Sequence, residues 1–149
     1  MSNEITSEDL KIIASLRRNA RSSLVGISQL TQMPQSTVYD KVKTYEQSFI
    51  KKHTCLIDYK QLGYNVEVKI AMKAKKESKD QLLQYLKNHA NVNSAFHINN
   101  DYDFFVEGIF RNYGEMYRFV QEVQDQFGLE KSELFHILHD IKHEEFLSN

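Results

Sequence analysis

One cysteine, Cys55, stands among 149 residues. No disulfide can therefore close within the chain, and no C-x-x-C pair is present to hold a metal or a redox couple. That usage fits a reducing, cytoplasmic setting. No apolar run approaches the ~20 residues that cross a bilayer, which excludes a membrane-spanning helix. The opening residues MSNEITSED are polar and acidic and lack the basic start and apolar core of a secretory signal. G-x-G-x-x-G, Walker and G-x-S-x-G patterns are absent, so neither a phosphate-cradling loop nor a nucleophile elbow is written here. At 41% apolar and 26% charged residues the composition is that of an ordinary globular protein. The length suits one medium domain or two small ones.

The net charge of -1 hides an asymmetry. Residues 1–60 carry nine Lys and Arg against six Asp and Glu, giving +3; residues 61–149 carry ten against fourteen, giving -4. A basic first part beside an acidic second part suits nucleic-acid contact by the first.

That first part reads as three short helices with a tight turn before the third. Ser7 is placed to cap the first, in which Leu10, Ile13 and Leu16, with Ile12, form an apolar stripe. Arg17 and Arg18 close it, where cations oppose the negative end of the helix dipole. Ser23 caps a second helix, with Leu24, Ile27 and Leu30 inward. The turn is Thr31-Gln32-Met33, and Pro34 suits the first turn of the third helix, where a missing N–H costs nothing. Val38, Val42 and Tyr45 then face the core, leaving Gln35, Ser36, Tyr39, Asp40 and Lys43 outward. A helix-turn-helix presents such a face to the major groove of DNA. Gln pairs with adenine, Ser reads several base edges, and Tyr and Lys reach phosphates. Arg17, Arg18, Arg21, Lys41, Lys43, Lys51 and Lys52 are candidate phosphate contacts. A solvated face on a small helical bundle is the plainer alternative.

Lys52 to Ile57 is expected to be a strand leading into the turn-rich DYKQLGY. Beyond it, Asn65 to Ala74 alternates as a strand, with Val66, Val68, Ile70 and Met72 on one face and Glu67, Lys69 and Lys73 on the other. Ser78 is expected to cap a helix carrying Leu82, Leu83 and Leu86. Val92 to Ile98 is a second strand, NNDYD a turn, and Phe104 to Arg111 a third strand. Met116, Phe119, Val120, Val123 and Phe127 mark a helix that Gly128 stops. Leu134 to Lys142 is expected as the last strand. The order βαββαβ is a ferredoxin-like sandwich of α+β class. The third and last strands are apolar on both faces, which implies a second sheet packed on the open side and hence self-association. The expected boundaries are residues 1–51 for the helix-turn-helix DNA-binding domain, 52–64 for linker strand and hinge, and 65–149 for the ferredoxin-like, self-associating domain.

His136, His139 and His143 would share a face only on a helix, and a strand separates His136 from the other two. Cys55 and His53 alternate with no third partner, and Asp101 and Asp103 suit a turn that bonds its own backbone. No catalytic group, metal or cofactor is expected.

The arrangement resembles the leucine-responsive regulator (Lrp/AsnC, or feast–famine) family over nearly the whole chain. Asp9, Ile12, Ile13, Leu16 and Arg21 fall on its opening pattern, and Arg21, Ser23, Ile27, Ser28, Gln32, Met33 and Pro34 on its second-helix stretch. Thr37, Val38, Lys41 and Val42 fall on its recognition helix, and Asp58, Leu62 and Gly63 on its linker. Asn100, Asp101, Tyr102 and Asp103 stand at its Gly-Asp-Tyr-Asp turn; Asn tolerates the left-handed backbone better than most residues. The resemblance implies a sequence-specific transcription regulator that binds double-stranded DNA. It implies a homodimer that can build to a tetramer or octamer, and a cytoplasmic, nucleoid-associated protein with no membrane partner. It also implies DNA contacts that include Thr37, and a small amino-acid-like effector beside Asn100, Asp101, Tyr102 and Asp103. Two alternatives stand beside it: an enzyme on the same scaffold, since sirohaem decarboxylases are similar in fold, and a ligand-free architectural protein that coats DNA.

Overall fold

The computed structural model describes residues 5–148 in two compact units. One holds the N-terminal residues to Leu56 together with the segment from Ile141 onward, and the other is Ile57–Asp140.

In the first unit α1 (Ser7–Arg18), α2 (Leu24–Thr31) and α3 (Gln35–Ser48) pack around Ile12, Ile27, Val38 and Tyr45. The cap of α1 is Thr6, one residue before the expected Ser7: its hydroxyl accepts from the Asp9 N–H, and the Asp9 carboxylate accepts from the Thr6 N–H. T-x-x-D is a reciprocal capping pair, and it outcompetes a lone Ser. Ser23 caps α2 as expected, accepting from the Gly26 N–H at 3.0 Å. Leu10 and Leu30, expected inward, are exposed. On α2 the buried stripe runs from Ile27 to Thr31, whose hydroxyl donates to the Ile27 carbonyl at 2.8 Å. That i, i+4 step leaves Leu30 to solvent. Gln32 turns the chain in the left-handed region at φ 57°, and Pro34 is the N-cap of α3 rather than its first residue.

Residues 51–58 form no strand. A strand needs a ladder partner, and among the described residues this segment has none. A 3₁₀ turn follows at Tyr59–Leu62, capped by the Asp58 carboxylate and closed by Gly63 at φ 84°.

The second unit runs β1 (Val66–Ala74), α4 (Lys79–Asn88), β2 (Val92–His97), β3 (Phe104–Phe110), α5 (Tyr113–Phe127) and β4 (Leu129–His136). Its four-stranded sheet has the order β2-β3-β1-β4 with every pair antiparallel. One face is dry: Val68, Ile70 and Met72 of β1 and Phe104, Val106 and Phe110 of β3 meet Leu82 and Leu86 of α4 and Met116, Phe119 and Val123 of α5. Leu83, expected with them, is exposed. β4 starts five residues earlier than expected and ends at His136, so Leu138 and Ile141 lie beyond the sheet and exposed. The apolar run FHILHDI imitates a strand, but Gly128 ends α5 in the left-handed region and the chain pairs with β1 at once. As an edge strand β4 needs little apolar character, and it buries chiefly Leu129.

Candidate nucleic-acid interface and effector turn

The outward face of α3 is built as its spacing requires. Gln35, Ser36, Thr37, Tyr39, Asp40 and Lys43 are all exposed, with Val38 and Tyr45 turned into the core beneath them. Among the described residues, the side chains of Gln35, Ser36, Thr37, Tyr39 and Lys43 bond to no other protein group. The Arg21 side chain is likewise exposed and unpaired.

Three candidate phosphate contacts are placed differently. Lys41 donates to Asp9 Oδ1 at 2.6 Å, so its ammonium is committed inside the unit. Arg17 forks around the C-terminal segment, donating to the Glu144 carbonyl (2.8 Å), the Phe146 carbonyl (2.9 Å) and the Glu144 carboxylate (3.2 Å). Arg18 donates to the Ser148 carbonyl at 3.2 Å.

Asp9 organises the bundle, a role its sequence position hides. Beyond the cap, it also accepts from Lys41 and from the Tyr45 hydroxyl. Burial pushes its carboxyl upward, but these hydrogen bonds outweigh that and hold it well below the ordinary carboxylate range. Burial, together with the same carboxylate, raises the Tyr45 phenol.

In the second unit Asn100 takes the left-handed backbone, φ 72°, the conformation expected of it. The four turn residues divide their work. Asp103 is turned inward: its carboxylate accepts from Lys79 Nζ at 2.5 Å and from the Ala74 N–H at 3.0 Å. The lysine hydrogen bond is the main reason its carboxyl is lowered. Tyr102 donates to Glu133 at 2.7 Å, and Lys131 sits over its ring at 4.5 Å. Asp101 is exposed, 4.0 Å from Lys131.

The open face of the sheet is mixed rather than uniformly apolar. Phe96, Phe105, Ile109 and Phe135 share it with a polar knot. Glu107, 5% exposed, accepts from Lys69, Asn93 and Ser94. Burial raises its carboxyl and the three donors pull it back below the usual value. FFVEGIF reads as a core strand, so Glu107 escapes notice; a charge inside an apolar strand was the signal to follow. Among the described residues no cluster of His, Cys, Asp and Glu has the geometry of a metal site, and no helix is long and apolar enough to cross a membrane.

Residues 65–146 match the family model described as the Lrp/AsnC ligand binding domain, which is more than half of the chain. The chain belongs to the Lrp/AsnC family. An uncharacterised HTH-type transcriptional regulator of Pyrococcus horikoshii is 28% identical over 144 residues, covering 96% of this chain and 97% of its own. The HTH-type transcriptional regulator FL11 of Pyrococcus furiosus is 28% identical over 82% of each chain. Among solved structures, LrpC of Bacillus subtilis superposes with a TM-score of 0.86 at 18% identity, covering 94% of this chain and 99% of that one. A transcriptional regulator of Neisseria meningitidis in complex with L-Met also reaches 0.86 at 18% identity, over 93% and 92%. These two likenesses establish the helix-turn-helix plus ferredoxin-like fold in this Lrp/AsnC protein.

Proposed function

We propose that this Lrp/AsnC protein is a sequence-specific DNA-binding transcription regulator that acts as a homodimer or larger assembly, in the cytoplasm and on the nucleoid. The carrying observation is the face of α3, where five polar side chains project from a capped bundle with no partner of their own. Gln35, Ser36 and Thr37 lie in its first turn, where recognition helices meet base edges, while Tyr39, Lys43 and Arg21 reach the backbone. The relatives' naming as transcriptional regulators over almost the full length supports this reading and weighs against an enzyme on the same scaffold. Association uses the open sheet face, where Phe96 and Phe135 stand exposed; a dimer would bring two recognition helices to half-sites about one helical turn apart. A small amino-acid-like effector sits at the Asn100–Asp103 turn. Asp103 holds the turn's shape, which leaves Asp101 and Tyr102 as its contacts.

The deciding experiment is selection of bound fragments from genomic DNA, followed by fluorescence anisotropy on the recovered site. Gln35→Ala or Ser36→Ala should weaken binding to the preferred site by roughly 1–3 kcal/mol and relax preference at one base position. Lys43→Ala should weaken all sequences alike and reduce the salt slope by about 0.9. Uniform coverage of DNA, with discrimination unchanged in all three variants, would instead favour an architectural coat.

A further inference from the structure

The open face of the sheet carries its polar knot at the centre. With the strand order β2-β3-β1-β4, the midline of the sheet runs between β3 and β1. Among the seven ladder pairs from Val66↔Phe110 to Met72↔Phe104, Lys69↔Glu107 is the middle one. Apolar side chains surround it on this face. Phe96, Phe105 and Ala71 lie to one side along the strands and Ile109 to the other, and Phe135 of β4 is the ladder partner of Lys69. Phe96 and Phe135 are exposed, so the apolar surround is open while the carboxylate at its centre is already enclosed.

Glu107 is fixed by more than Lys69. Its Oε1 accepts from the Lys69 ammonium, and its Oε2 accepts from Asn93 at 2.5 Å and from Ser94 at 2.9 Å. Asn93 is held in turn by the Tyr59 hydroxyl, which donates to it at 3.3 Å. The Lys69 side chain is 28% exposed against 7% for Glu107. An ammonium has three donors, so Lys69 is the member of the pair that still faces outward. Stability alone does not account for such a pair, because apolar residues of similar volume often serve as well or better. The best-attested use of a buried charge or amide is to fix register and choice of partner.

Building on the association proposed above, we infer that Lys69 and Glu107 make this face selective for a second copy of the same chain, with β1 of one copy over β3 of the other. Facing sheets stand about 10 Å apart. A two-fold axis running along the strands over the midline exchanges β1 and β3. Each Lys69 then meets the partner subunit's Glu107, and four charges alternate in sign at the centre. An axis across the strands would set ammonium on ammonium and carboxylate on carboxylate, which like-charge repulsion rejects. A partner with an apolar centre would give the part-exposed ammonium no acceptor, and one with the charges in exchanged order would give it a second ammonium. Phe96 and Phe135 supply apolar contact, and the central charges decide with whom it is made.

The test co-expresses full-length copies carrying tags of different mass and counts mixed dimers by native mass spectrometry. Wild type with wild type should give the statistical proportion. Wild type with the double variant Lys69→Glu/Glu107→Lys should give at least about 10-fold fewer mixed dimers, while the double variant dimerises with itself. Reversing a buried pair can cost folding, so the single variants decide where the double variant does not assemble. Lys69→Glu and Glu107→Lys should each fail to self-associate and should form mixed dimers when expressed together. Free mixing of wild type with a double variant that dimerises would overturn the assignment, as would single variants no better together than apart. Wild type that stays monomeric would overturn the association itself and leave the face to a different partner, a result distinct from unselective dimers.

Discussion

Asp9 is where one side chain carries the most structure. It closes the cap of α1 and receives Lys41 and Tyr45 of α3 while 5% exposed. Asp9→Ala removes three kinds of partner at once and leaves a half-buried ammonium and a phenol unmatched. Breaking a buried pair from one side costs about 3–5 kcal/mol, and chemical denaturation of the variant should show a loss of that order in the first unit's transition. The pH dependence follows from the depressed carboxyl. Its contribution is fully present above the ordinary aspartate range near pH 4, and is lost as pH falls from there toward the lower folded value. In Asp9→Asn the acid transition should therefore become shallower over that window, measured by helical signal against pH; an unchanged profile would show that Asp9 is not the linked group. Little of this is legible in the sequence. Lys41 falls on a recognition-helix pattern and reads as a phosphate contact, because its partner lies 32 residues away. The polar face of α3 is legible, since its residues need only be left out of a stripe that Val38 and Tyr45 define.

At the scale of elements, helices and strands are readable wherever one face is buried and the other is not. β1 alternates except at the small Ala71, buried between Ile70 and Met72, and α5 carries Met116, Phe119 and Val123 at helical spacing. Their packing also fixes Gly108, where an added Cβ would stand 2.5 Å from the Phe110 ring. Gly108→Ala must push that fully buried ring aside, and overpacking of this kind costs about 1–3 kcal/mol; a thermal melt should show the loss, and a melt equal to the parent would mean the ring has room to move. Sequence reading falters at β4. LEKSELFH is mostly exposed and owes its conformation to the edge of β1, a long-range pairing that no local pattern encodes. The extended residues 51–58 present the converse case. They have strand-like composition and no ladder partner among the described residues, and Leu56 and Ile57 remain exposed. On the open sheet face, a charge introduced by Phe96→Asp or Phe135→Asp should shift the protein toward monomer in sedimentation at micromolar concentration. Burying each ring is worth roughly 1.5–3 kcal/mol, so an undisturbed assembly would place the interface elsewhere.

At the scale of the whole molecule, contacts far apart in sequence tie α1 to the C-terminal segment within the first unit. Residues after Ile141 group with the helices, and Arg17 and Arg18 of α1 hold Glu144, Phe146 and Ser148. Contacts spanning 127 to 130 residues leave no trace in local periodicity, so the sequence suggests only a helix-end and a phosphate role for those arginines. A phosphate role for these arginines would compete with the C-terminal segment for the same guanidinium groups. The Arg17–Glu144 pair is exposed and weak by itself, since surface pairs contribute about 0–1 kcal/mol, whereas the carbonyl contacts depend on the tail keeping its turn at Glu144 and Leu147, both with positive φ. Ending the chain at Asp140 removes every one of these acceptors. If Arg17 and Arg18 face phosphate when free, the shortened protein should bind DNA more tightly, by roughly 2- to 10-fold at low salt. Its log–log salt slope should steepen by about 0.9 for each cation released to the backbone. Glu144→Gln, which keeps the tail and its carbonyls, should give a smaller change of the same sign. Equal affinities and slopes in all three proteins would mean that these arginines serve the tail and leave phosphate to Arg21 and Lys43.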